Sequence, residues 1–437
     1  MTLMHPCRRA QSRWSRAVRP SRQSAIVTLG CLLGVWLAGL ALPAHAAPLT
    51  LAEAEAQLAR SNPGLAAAAQ RVAALEHRAV AATQLPDPHL SLDAVNLPTN
   101  SFSLTQQGMT MLSVGVSQSF PPPGKLNLEG DKLQAQAADQ HYSREAKRAE
   151  LIFGLRQAWL SAVYARQAVK TVRRQEDLAH ENERAAMAAY RAGTAPQSDV
   201  LRARLAAAEL RNDRSVLAAD EAAALARIAQ YLGTDQTPDI DPDWPSLSGA
   251  LTGSKDLPST QPLLRMAQAK VQVAQADVQM AKKNFLPEIT VGASYGKSFF
   301  PGSPNFFSAG VSMNLPIFST HRLDQELDSA RAQVMEARYN EQDQRLALLQ
   351  QIRSAAAREH SLQEKWTRMT AEMLPLARAT FDSTLTAYTN GRASMGDVLK
   401  AQQAVFAIEL QTLQDRRDLL ATQAELDELT TPSEQQP

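Results

Sequence analysis

The side chains that could do chemistry are few and badly spaced for it. Gly292-Ala-Ser-Tyr-Gly296-Lys297-Ser298 has the ingredients of a phosphate loop, in which backbone N–H groups and a lysine surround a phosphate. It is one spacer residue short and lies on an alternating segment. His180-Glu181 opens like a zinc-protease motif, but position 184 is arginine, so no second imidazole stands four residues on. The remaining histidines after the first 46 residues, His77, His89, His141, His321 and His360, are scattered without ligand spacing. His89, Met109 and Met111 are placed near one end of the strands described below, where their contact with soft metals would be a matter of chance. Neither an enzymatic activity nor a cofactor is expected. What remains is a matched pair of acids: Asp199 and Asp397 each follow a glycine turn and precede Val-Leu. An aspartate there suits the first turn of a helix.

The elements that must position these acids begin after an address. Residues 1–24 hold six arginines and no acid; the apolar run Ala25–Leu42 and Pro43-Ala44-His45-Ala46 follow. That order reads as a signal peptide, 1–46, cleaved after Ala46. Cys7 and Cys31 both lie in it, so the mature chain is expected to carry no thiol, disulfide or thiolate metal site. Thr28-Leu29-Gly30 is a poor lipobox, and Cys31 reads as an ordinary residue of the signal core. The full chain has 45 Lys+Arg against 44 Asp+Glu, and losing six arginines leaves 39 against 44. A mildly acidic protein has no reason to seek nucleic acid.

The chain is an internal duplication. Leu85-Pro86 is answered by Leu286-Pro287, SVGVSQSFPPPG from Ser113 by SAGVSMNLPIFS from Ser308, and AYRAGTAPQSDVLRAR from Ala189 by AYTNGRASMGDVLKAQ from Ala387. Three blocks in one order divide it into a first repeat, 47–236, a Pro/Ser/Asp/Gly-rich linker, 237–259, and a second repeat, 260–429. A disordered tail, 430–437, is expected after them. Each repeat reads as helix, strand, strand, long helix, turn, helix.

Strands are expected at about 88–95, 111–119, 288–297 and 306–315. Leu90, Leu92 and Ala94 alternate with Ser91 and Asp93, and the other three runs alternate apolar with Ser, Thr, Gly or Asn. Such runs approach the nine to eleven residues of a tilted transmembrane strand. Phe120, Phe285, Phe299, Phe300, Phe306 and Phe318 cluster at the strand ends like an interfacial girdle. No long apolar helix follows Ala47, so a membrane is entered by strands or not at all. The helical hairpins, 123–232 and 319–429, are far longer than globular helices and imply coiled-coil packing, with a kink expected at Pro375. Four strands cannot close a barrel, and an open edge in lipid leaves backbone groups unpaired at several kcal/mol each, so other copies must complete it.

The duplication, the strand pairs ending in Phe120-Pro121 and Leu315-Pro316, and the turns Tyr190/Gly193/Asp199-Val200-Leu201 and Tyr388/Gly391/Asp397-Val398-Leu399 resemble the TolC-type outer-membrane factors. The resemblance covers Ala47 to about Leu429. It implies a mostly α fold with a transmembrane β-barrel segment, in which three protomers of four strands make a twelve-stranded barrel above a periplasmic α-barrel. It also implies an efflux role: a passive homotrimeric duct in outer-membrane lipid, docked to a periplasmic adaptor and an inner-membrane pump. Leu85-Pro86-Asp87-Pro88, Asn96-Leu97-Pro98-Thr99 and Gln118-Ser119-Phe120-Pro121-Pro122-Pro123-Gly124-Lys125 resemble the heavy-metal, CzcC/CusC-like branch, whose pumps are of the resistance-nodulation-division class. Channels of that branch often begin on an acylated cysteine, from which this chain departs.

Carried over by position, Asp199 and Tyr388 match a closing contact at the periplasmic entrance and Asp397 matches an acidic ring. Arg392 lies one place before a latch arginine, and Gly193 and Gly391 fall at the adaptor-docking tips. The ring's second acid is missing, since Lys400 stands three residues after Asp397. Two other readings stay open: the same channel serving drug efflux or protein secretion, and a soluble periplasmic coiled-coil adaptor, which leaves the strands unexplained.

Overall fold

A computed structural model describes residues 48–247 and 257–433. The signal peptide with its cleavage point, both cysteines and the middle of the linker lie outside the described residues.

Each repeat is organised around one very long helix. In the first it is α3, Lys125–Arg191, of 67 residues, and at 1.5 Å per residue it runs about 100 Å. Beside it lie α4, Gln197–Leu232, and α2, Pro63–Ala82, stacked end to end. Their junction is built from polar side chains. Ser61 Oγ donates to Leu232 O at 2.9 Å and Asn62 Nδ2 to Tyr231 O at 3.2 Å, which satisfies carbonyls at the end of α4. The Asn62 Oδ1 atom meanwhile accepts from Gly64 and Leu65 N–H and caps α2. The single helix expected before the first strand is thus two, α1 at Leu51–Ser61 and α2, broken at Asn62-Pro63 by the cap and the missing proline N–H.

The second repeat repeats the plan. Helices α6, Thr320–Arg368, and α7, Leu374–Thr389, are joined without a break by a π turn at Met369–Met373. Helices α5, Pro262–Lys283, and α8, Met395–Thr430, flank this rod. The kink expected at Pro375 takes the form of that π turn. Leu374 N–H reaches back five residues to Met369 O, so the extra residue is absorbed just before the proline ring would meet the preceding turn. The N–H of Ser433 donates to Thr260 O at 2.8 Å, so the described part of the expected disordered tail, 430–433, is ordered. The rest of that tail lies outside the described residues.

Glycines inside α3 mark close helix approaches. A Cβ on Gly130 would stand 2.7 Å from Thr83 Cγ2, and one on Gly154 would overlap the Tyr231 ring. Near that crossing, Leu58, Leu155, Trp159, Val163, Ile228, Leu232 and Ile240 form the largest core cluster. The core thus joins α1, α3, α4 and the linker, with Leu49 bridged to Ile240.

The four strands form one antiparallel sheet in sequence order: β1 (His89–Val95), β2 (Met111–Phe120), β3 (Ile289–Ser298) and β4 (Phe306–Met313). Register aligns Leu92, Val114, Tyr295 and Phe307 on one face, and Ser91, Gly115, Ser294 and Ser308 on the other. The apolar face is bare: Leu92 is 74% exposed and Phe307 73%. On the small-residue face side chains converge, and a Cβ on Gly115 would meet Ser91 Oγ at 2.8 Å. A side chain at Gly115 would therefore need Ser91 Oγ to move, whereas Gly310 on the edge strand has open space around it. Two expectations change. Phe306 lies on the small-residue face, and Phe307 takes its place in the aromatic belt. His89 begins β1 opposite Ser117, at the end of the sheet nearest the helices, away from Met109 and Met111.

Candidate functional site

The two helix-hairpin turns are built alike. Gly193 and Gly391 have φ of 70° and 67°, the left-handed backbone that ends a helix at least cost on glycine. Gly193 N–H donates to Tyr190 O and Gly391 N–H to Tyr388 O, both at 3.0 Å. Nothing lies within 4 Å of a Cβ built on either glycine, so both turns are bare tips. Arg392 is exposed on the second.

The tips are held together by an apolar cluster. Ala186 of α3, Val200 and Ala203 of α4, and Met395, Val398 and Leu399 of α8 are buried, with Phe381 and Tyr388 of α7 packed against them. Structure therefore brings Asp199 and Tyr388 into one neighbourhood. Asp199 is only 8% exposed, and Arg202 NH1 lies 3.7 Å from its Oδ1. Burial, then the Asp199 charge, pushes the Tyr388 phenol above its ordinary pKa.

Asp397 is placed differently. Its Oδ2 accepts from Ser394 N–H at 3.0 Å and Ser394 Oγ at 2.7 Å, while its own N–H donates to Ser394 Oγ at 3.3 Å. This reciprocal pair is a capping box at the start of α8. The bonds from Ser394, helped by Lys400, hold the Asp397 carboxyl below its ordinary pKa. Both cap bonds use Oδ2, which leaves Oδ1 of this exposed side chain for solvent or a passing cation. Asp199 has no such cap, because Pro196 stands where Ser394 would and offers neither hydroxyl nor N–H.

Next to the tips lies a buried polar ladder that pattern reading missed. Asn182 Nδ2 donates to Gln402 Oε1 at 2.6 Å, and Gln402 Nε2 to Gln175 Oε1 at 3.2 Å. Gln175 Nε2 then reaches Glu409 Oε2 at 3.3 Å, and Arg378 NH2 donates to Glu409 Oε1 at 2.7 Å. The ladder ties α3 to α8 and α7. Its signal was present as polar residues seven apart on each rod, Gln175 and Asn182, Gln402 and Glu409.

Among the described residues no group of three His, Cys, Asp or Glu side chains could hold a metal, and His141, His180 and His360 each lie beside one glutamate a helical turn on, His141 at 3.2 Å from Glu145. No described helix is long and apolar enough to cross a membrane. The Gly292–Ser298 segment is strand β3 and not a phosphate loop.

The sequence pattern of the outer membrane efflux protein family matches residues 54–234 and again 255–431. The chain is 28% identical to protein CyaE of Bordetella pertussis over 190 residues, 40% of each chain, so it spans less than half of that relative. It is 24% identical to the cobalt-zinc-cadmium resistance protein CzcC of Cupriavidus metallidurans over 377 residues, 84% of this chain and 86% of CzcC. To the pyoverdine export outer membrane protein OpmQ of Pseudomonas aeruginosa it is 24% identical, covering 68% and 65%. The fold matches the crystal structure of CusC with a TM-score of 0.75 at 17% identity, over 88% of this chain and 92% of that one.

Proposed function

The chain belongs to the outer membrane efflux protein family, whose members are channels and not enzymes, and on that premise we propose that it is the passive exit duct of a heavy-metal efflux system. It resides in the outer membrane and extends into the periplasm. Three copies close a twelve-stranded barrel from their four-stranded sheets and pair their helical hairpins into a tunnel. A periplasmic adaptor seats on the tips at Gly193 and Gly391 and connects the duct to an inner-membrane pump of the resistance-nodulation-division class.

The free sheet edges support the assembly. Strands β1 and β4 each have one unpaired side, and every neighbour in the sheet is antiparallel, so β4 of one copy is correctly directed to pair with β1 of the next. Closure removes the open edges that lipid does not tolerate. At the tips, Asp199 and Tyr388 form the closing contact, the exposed Asp397 carboxylates ring the entrance, and Arg392 latches a neighbouring helix.

The metal cargo rests on one observation, the similarity to CzcC along most of both chains. OpmQ, at the same identity over a shorter span, favours a second reading in which the cargo is a small organic molecule such as a siderophore. Growth of a deletion strain, with and without the restored gene, separates the two. Sensitivity confined to one or two of cobalt, zinc, cadmium, copper and silver supports metal export. Sensitivity to dyes and antibiotics, or loss of siderophore from the medium, with unchanged metal tolerance, moves the cargo to organic molecules.

A further inference from the structure

We infer that Asp93 and Glu288 make the interior of the β-barrel a second cation-favouring zone, separate from the helix tips. The inference rests on the duct reading above, because it needs the sheet to enclose a lumen.

Strand geometry decides which residues line that lumen. The face carrying Leu90, Leu92, Val114, Val116, Val291 and Phe307 is apolar and exposed, so it meets lipid. The opposite face is therefore inside. Following the register across it, the side chains are serine, threonine and glycine apart from His89, Asp93, Val95, Met111 and Phe306. Asp93 is the one charged residue of that face within the strands, level with Ser113 and Gly296. Glu288, immediately before β3, continues the alternation. Its carboxylate accepts from Ser119 Oγ, a diagonal neighbour on the inward face, which fixes it there.

No lysine or arginine shares this face. The one basic side chain of the sheet, Lys297, aligns with Leu112 on the apolar face and lies over the Phe299 ring at 5.6 Å, at the outer belt. The only other titratable inward group is His89, at the inner end. Eight residues of β3 separate Glu288 from the level of Asp93, roughly 27 Å along the strand. The two acids thus form separate tiers, one near each end of the barrel. In a low-dielectric wall, carboxylates without counter-charges raise the local cation concentration and exclude anions. Hydrated divalent metals would be favoured without being held, as conduction requires.

The test is side-specific block of single channels of the full-length protein in planar bilayers, with hexaamminecobalt(III) added to one side at a time. The Asp93→Asn, Glu288→Gln double variant is expected to lose block from the barrel side and keep it from the tip side. Persistence of barrel-side block at the wild-type concentration overturns the inference. Should the double variant fail to insert, Ser308→Lys places a cation on the same inward face with both acids intact; it must weaken barrel-side block, and unchanged block again overturns the inference. A wild-type protein that forms no channels would instead bring down the duct reading itself.

Discussion

Pro196 and Ser394 stand at the same place in the two repeats, each just before the first turn of a tip helix, and they give opposite tasks to the aspartates three positions on. Ser394 supplies a hydroxyl and an N–H, so Asp397 closes a capping box. Pro196 supplies neither, so Asp199 turns into the cluster beside Tyr388. One duplicated motif has thereby become a cap in one repeat and a buried charge in the other.

Replacing Pro196 by serine should hand Asp199 a capping partner and draw it away from Tyr388. The expected result is a Tyr388 phenol that titrates closer to its ordinary value, followed by ultraviolet difference absorbance, together with a higher single-channel conductance. Conductance at the wild-type level with the phenol shifted would remove the Asp199–Tyr388 contact from the closing set.

The two titrating groups at the tips act at opposite ends of the pH scale. The Tyr388 pKa is raised above 10.0, so its contribution is complete below pH 10 and is lost as pH rises through the folded value, when phenolate and Asp199 repel. The Asp397 pKa is lowered from 3.8, so its cap contributes above that value and is lost as pH falls through the lower folded one. Conductance should therefore rise at alkaline pH, and Tyr388→Phe should abolish that rise.

A Cβ added at Gly193 or Gly391 meets no neighbour within 4 Å, so leucine there is expected to cost chiefly backbone strain, on the order of 1–2 kcal/mol. Assembly on non-boiled gels should be unchanged while efflux in cells is lost. Loss of the oligomer instead would make these glycines purely structural.

Arg156 joins three helices, donating to Glu55 Oε1 of α1 at 2.7 Å and to Asp427 Oδ2 of α8 at 3.0 Å. Arg156→Ala removes the guanidinium that Glu55 and Asp427, 23% and 14% exposed, share. Destabilisation of roughly 3 kcal/mol is expected, the low end for a broken buried pair because the arginine side chain is 19% exposed. Thermal unfolding in detergent reads it, and Arg156→Lys should recover part of the loss.

The strands were legible because alternation is a local property, and the duplication because the chain repeats its turns in order. The break at Asn62-Pro63 was equally local, a cap followed by a proline at the first helical position. The end-to-end stacking of α4 on α2 was not legible, since it depends on Ser61 and Asn62 meeting carbonyls about 170 residues away in sequence. At the tips the sequence pointed to Asp199, Tyr388 and Asp397. Their division of labour required seeing which backbone N–H groups were present, and the Asn182–Gln402–Gln175 ladder required the α3–α8 register.

The central claim, that the free edges of β1 and β4 meet between copies, is open to direct measurement. Both native cysteines lie within residues 1–46, so an engineered pair has a clean background once that segment is removed. A Ser312→Cys chain can be combined with single cysteines placed in turn at positions 89–95 and oxidised in intact cells. The account predicts covalent dimers and trimers, and nothing larger, at alternate positions of β1. Monomer at every position would contradict it.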